Sequence, residues 1–142
     1  MHVVWFKRDF RILDHRPLAE AARRGPVLPL YIHEPELWEG PDYDPRHWAF
    51  ARQCLEELDG NLRRLGAPLV VRTGDAIDVL RSLPVTALYA HEETGNGWTY
   101  ARDRRVRRWA RESGIPFFEY PSNGVIRGLK TRDGWSRRWK QR

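Results

Sequence analysis

Five short apolar runs alternate with segments of helical pattern along this 142-residue chain, and that alternation constrains the fold more than any other feature. The runs are residues 2–6, 27–32, 68–72, 86–91 and 116–120. Each is long enough for one strand. Strands joined through helices pair in parallel, because a parallel return needs a crossover of about a dozen residues or more. The expected fold class is α/β: a Rossmann-like, doubly wound parallel sheet of about five strands with helices on both faces. A chain of this length holds one domain with a real core and is too short for two.

The clearest helix spans residues 46–65, where Trp48, Ala51, Leu55, Leu58, Leu62 and Leu65 recur at three- and four-residue steps and form one apolar stripe to lie on the sheet. Gly66 ends it and Pro68 bars its continuation. Leu69-Val70-Val71 then has the unbroken apolar character of a strand buried on both faces. The first helix is expected to start near Asp14 as its cap, with Pro17 in the first turn and Gly25-Pro26 as its stop. Residues 33–45, with three prolines and a glycine, form a long connection at a strand's carboxyl end, a place where loops often carry function.

Several classes are excluded by composition. No apolar run approaches the roughly 20 residues of a membrane span, and the amino terminus lacks a signal peptide's long apolar stretch, so a cytoplasmic protein is expected. Cys54 is the single cysteine, which rules out an intrachain disulfide or an all-cysteine metal centre; its expected role is partly buried helix packing. The net charge of +6 is unevenly spread, −3 over residues 1–98 and +9 over residues 99–142. Such a basic third can mark an anion- or nucleic-acid-binding face, a solvated surface, or a surface that covers another domain. Six arginines lie within Arg102–Arg111, and there Val106, Trp109 and Ala110 are expected to pack on the sheet with the arginines turned to solvent.

In a parallel sheet, ligands meet the carboxyl ends of the strands and the amino ends of the following helices. Four such ends carry polar clusters: Lys7-Arg8-Asp9 with Arg11, His33-Glu34, Gly74-Asp75, and His91-Glu92-Glu93. Asp75 reads equally well as a helix cap. Arg8 and Asp9 read equally well as a salt bridge fixing their loop. The spacing of His91, Glu92 and Glu93 matches no common metal-ligand signature, so no metal is expected. A Gly-x-Gly-x-x-Gly turn, a phosphate-binding loop with Lys-Ser/Thr and a Gly-x-Ser-x-Gly elbow are all absent from the sequence.

The opening stretch Val4-Trp5-Phe6-Lys7-Arg8-Asp9-Phe10-Arg11-Ile12-Leu13-Asp14-His15-Arg16-Pro17-Leu18 closely resembles the first motif of the DNA photolyase/cryptochrome family. The likeness continues in order and spacing through Val27–Ile32, Leu69–Asp75 and Tyr100-Ala101-Arg102-Asp103 followed by Val106. It implies that residues 1–121 are the family's amino-terminal α/β domain and that 122–142 begin the linker to a helical domain that binds FAD and damaged DNA. The flavin pocket and electron-transfer tryptophans of the family belong to that other domain. The seven tryptophans of this chain are therefore expected in the core or at interfaces.

The resemblance implies a light-harvesting role in repair of pyrimidine dimers, with this chain alone inactive as a photo-lyase. A flavin or deazaflavin antenna would sit at Phe6, Lys7, Arg8 and Asp9, at Ile32, His33 and Glu34, and at His91, Glu92 and Glu93. The Asn-Glu pair that helps to hold a folate antenna is replaced here by Trp98-Thr99, which disfavours folate. Two other functions stay open: the same domain of a cryptochrome photoreceptor, and a free-standing ligand-binding module. The pair Trp135 and Trp139, one helical turn apart, is expected to cover a partner domain, and to be exposed where that partner is absent.

Overall fold

The computed structural model describes residues 1–141; Arg142, the last residue of the expected linker segment, lies outside them. Strands β1 (His2–Phe6), β2 (Val27–His33), β3 (Val70–Thr73), β4 (Ala87–His91) and β5 (Phe117–Tyr120) form one parallel sheet in the order β3-β2-β1-β4-β5. Around it run α1 (Arg16–Ala22), α2 (Pro35–Trp38), α3 (Pro45–Arg64), α4 (Ala76–Arg81) and α5 (Gly97–Glu112), with α6 (Trp135–Lys140) beyond the last strand.

Successive side chains of a strand face opposite sides, and β1 shows the consequence. Val3 and Trp5 enter a core with α4 and α5 that includes Val79, Leu80, Val106 and Trp109. Val4 and Phe6 enter a second core with α1 and α3 that includes Ala21, Leu55, Leu58 and Leu62. The sheet is thus covered on both faces, as the alternation of runs requires. Its order reverses between β1 and β4, so the loops leaving those two strands diverge and open a crevice at their carboxyl ends.

Three local expectations are corrected. α1 is capped by His15, whose Nδ1 accepts from Leu18 N at 3.1 Å, while Asp14 takes a left-handed turn at φ 49° just before it. β3 is an edge strand with Val71 48% exposed, because a continuous apolar run does not distinguish an edge from a centre. Leu65 lies beyond the last turn of α3 and is exposed; Gly66 at φ 82° closes the helix with Gly66 N donating to Arg63 O and Ala67 N to Leu62 O.

Candidate ligand-binding site at the strand ends

The loop after β1 is held by a carboxylate. Asp9 Oδ1 accepts from Lys7 N at 2.9 Å, and Oδ2 accepts from His15 Nε2 at 2.6 Å and from His91 Nδ1 at 2.7 Å. Burial opposes ionisation of Asp9, but the hydrogen bonds from the two histidines hold it well below the usual carboxylate range. The three side chains bring ligand-type atoms within 4.8 Å of one another. Because His15 Nδ1 is already the cap acceptor for Leu18 N, however, its proton resides on Nε2 and that nitrogen donates to Asp9. The arrangement is a hydrogen-bonded triad that ties β1, α1 and β4 together. The salt bridge of Arg8 with Asp9 is not formed.

Beneath this loop lies a buried charge network that the outward placement of the α5 arginines did not foresee. Arg102, 4% exposed, bonds Glu34 and Glu93 and also reaches Asp103 Oδ1 at 3.0 Å. Asp103 Oδ2 in turn accepts from Lys7 Nζ at 3.0 Å and from Arg127 at 2.6 Å. Arg127 also bonds Glu119 at 2.9 Å and the carbonyl of Glu93, tethering residues beyond β5 to the core. Burial opposes the charge of Arg102, yet the surrounding carboxylates of Glu34, Glu93 and Asp103 hold it more firmly protonated than usual. Burial likewise opposes ionisation of Asp103, but Lys7 and Arg102 keep its carboxyl low. Three carboxylates crowd one guanidinium, and the excess appears at Glu34: burial pushes it up to about 7, Arg102 offsets this in part, and Glu93 reinforces it.

The loop Lys7–Asp9 divides the crevice in two. On the β5 side a polar cavity of about 240 Å³ is lined by Lys7, Arg8, Asp9, Arg11, His91, Glu92, Glu93 and Asn123. On the other side a larger cavity of about 800 Å³ lies between the loop, the connection from α2 to α3, the first half of α3, and Thr94-Gly95-Asn96. Trp38, Tyr43, Phe10 and Phe50 give it aromatic walls, and Cys54 and His47 complete its α3 side. A smaller recess of about 20 Å³ adjoins it, sharing Lys7, Arg8, Trp38 and Tyr43 and bounded also by Phe6, Ile32, Glu34 and Arg102. The rim is latched where Asn96 Nδ2 donates to Asp42 Oδ2 at 2.8 Å. Gly95 is required there, since a Cβ would stand 2.7 Å from Thr99 Oγ1.

Of the residues marked in the sequence, Phe6, Lys7, Arg8, Asp9, Ile32, Glu34, His91, Glu92 and Glu93 border these cavities. His33 instead packs against Trp48, the two rings tilted with centroids 4.3 Å apart. Gly74 and Asp75 border none of the three; Asp75 caps α4 through Ile77 N at 2.9 Å and pairs with Arg105 at 2.9 Å. Arg8 borders all three cavities, is exposed, and has no ion-pair partner among the described residues. The walls that the sequence left unmarked, His47, Phe50 and Cys54, share one face of α3 at steps of three and four beside the buried stripe. Phe50, 69% exposed and off that stripe, was their signal.

The family model for DNA photolyase matches residues 2–133. The chain belongs to the DNA photolyase family. It corresponds to the amino-terminal α/β domain of photolyases and cryptochromes. Cryptochrome DASH of Oryza sativa is 36% identical over 104 residues, covering 65% of this chain and 18% of the relative. The deoxyribodipyrimidine photo-lyase of Salmonella typhimurium is 42% identical over 71 residues, covering 49% of this chain and 15% of the relative. Such matches take up about a fifth or less of the relatives' lengths. Among solved structures, a class III photolyase from Agrobacterium tumefaciens superposes with a TM-score of 0.79 at 26% identity, covering 94% of this chain and 28% of that one. An archaeal photolyase from Sulfolobus tokodaii, described with two FAD molecules and the implication of a novel light-harvesting cofactor, gives 0.80 at 26% identity, covering 100% and 35%. No helix among the described residues is long and apolar enough to cross a membrane.

Proposed function

We propose that this chain is the antenna domain of a photolyase that repairs pyrimidine dimers in DNA. It holds a flavin-type chromophore in the 800 Å³ cavity and packs on a carboxyl-terminal FAD domain. The observation that carries the reading is the pairing of that aromatic-walled cavity, within the size range of ligand pockets, with Arg8 in its lining, which has no ion-pair partner among the described residues. Aromatic walls take a planar ring system, and a free guanidinium takes an anion such as a ligand phosphate. The antenna absorbs light and passes the excitation to the flavin of the other domain. The residues of this chain bind the ring, orient it, and keep its distance to that domain fixed.

The structure of the Trp98-Thr99 position supports a flavin or deazaflavin over folate. Thr99 is fully buried, its Oγ1 donating to Asn96 O at 2.9 Å, and Trp98 stacks on Arg102 at 5.6 Å. Both side chains are occupied in the fold. The exposed, stacked Trp135 and Trp139 fit a face covered by the FAD domain, with residues 122–142 as the linker towards it. A cytoplasmic location accords with this reading. In a flavin mononucleotide titration Arg8→Ala is expected to weaken binding about tenfold, by loss of a charge-assisted bond. An unchanged titration curve would contradict the reading. A dimer-repair assay on the protein joined to its flavin domain separates photolyase from cryptochrome.

A further inference from the structure

Two buried polar atoms of the recess are left without a hydrogen-bond partner: Glu34 Oε1 and Trp38 Nε1. They differ in kind. Glu34 is 5% exposed, and its other oxygen is taken by Arg102, so Oε1 is fixed and idle, an acceptor whenever the carboxyl is ionised. The Trp38 indole N–H is a donor that neighbours the Tyr31 hydroxyl without reaching hydrogen-bond geometry. The two residues sit four apart on α2 and its cap, so one helical turn presents both to the same recess. Buried polar atoms in native proteins are almost always satisfied, and an idle acceptor and an idle donor on residues lining one recess describe the complement of one chemical group.

We infer that Glu34 and Trp38 read the polar edge of the bound ring, Glu34 Oε1 accepting a ring N–H and Trp38 Nε1 donating to the carbonyl beside it. The ligand class is thereby a heteroaromatic ring with an –NH–C(=O)– edge. The inference rests on the antenna reading and deepens it. The recess of about 20 Å³ has room for about one water-sized group of that edge and none for a methyl group added to it. Selection therefore comes both from the bond made and from the space withheld.

The test is a fluorescence titration of the chain with riboflavin and with N3-methylriboflavin, which lacks the ring N–H. The native chain is expected to bind riboflavin at least about tenfold more tightly. In Glu34→Gln, the amide oxygen stays on Arg102 and an N–H₂ group faces the ligand, so the discrimination is expected to shrink to about threefold or less. Equal affinity of the native chain for both ligands would overturn the inference and leave the antenna reading standing. Binding of neither would overturn the antenna reading and the inference with it. Discrimination that persists in a folded Glu34→Gln would also overturn the inference. Should that variant unfold, Trp38→Phe decides: a drop in riboflavin affinity of about tenfold supports the donor role, and an unchanged affinity overturns it.

Discussion

At the scale of single residues, the network around Arg102 governs both stability and site. Glu34 is the group with the sharpest consequence. Its carboxyl titrates near 7 in the fold and near 4.5 when unfolded, so between those values the folded chain binds the extra proton. Its contribution is fully present below about pH 4.5 and is lost as pH rises through 7, amounting to as much as about 3 kcal/mol at 1.4 kcal/mol per unit. Urea midpoints of the native chain are expected to fall between pH 5 and pH 8, and Glu34→Gln is expected to flatten that slope. A slope equal to that of the native chain would refute the assignment. Asp103 acts in the opposite direction, its low carboxyl adding stability that is lost as pH drops below the normal Asp range. Asp103→Asn leaves Lys7, Arg102 and Arg127 short of a counter-charge and should cost about 3 kcal/mol in urea unfolding. Arg102 was half legible in the sequence. It stands four residues before Val106 and seven before Trp109, on the same stripe, but six arginines in one helix drew the eye to solvent instead.

Elements were legible where one periodicity acted alone. The stripe of α3 from Ala51 to Leu62 is buried as its spacing demands, and Leu58, fully enclosed, should cost about 3 kcal/mol on truncation to Ala. Val71→Thr on the edge strand should change stability by less than about 0.5 kcal/mol, and chemical denaturation of the two variants checks the contrast. A large effect at Val71 would mean that something covers β3. The strand's apolar run misled because sheet order is a property of the whole chain. The cap of α1 was misread by one residue because His15 does two jobs, closing the helix through Nδ1 and binding Asp9 through Nε2. The long connection after β2 was marked by its prolines and length, and it does supply Trp38, Asp42 and Tyr43 to the larger cavity. Its partner face on α3 was hidden because His47, Phe50 and Cys54 mix polar and apolar types.

For the molecule as a whole, the doubly wound order explains why one crevice collects loops that are distant in sequence. β1 and β4 stand side by side at the reversal, so Lys7–Asp9 and His91–Glu93 meet across some eighty residues. The basic last third is not one patch. Arg102 and Arg127 neutralise buried carboxylates, and Arg105 and Arg107 pair with Asp75 and Glu119. The uneven charge therefore serves the interior as well as the surface. We propose that the cavity between the Lys7–Asp9 loop and α3 is the antenna site. The most direct measurement is a riboflavin titration, by quenching of tryptophan fluorescence, of the native chain and of Cys54→Trp, which places an indole in that cavity. Saturable one-to-one binding that Cys54→Trp abolishes, with the fold intact by circular dichroism, is the predicted result. Binding that survives Cys54→Trp unchanged, or no binding to the native chain, would contradict the claim.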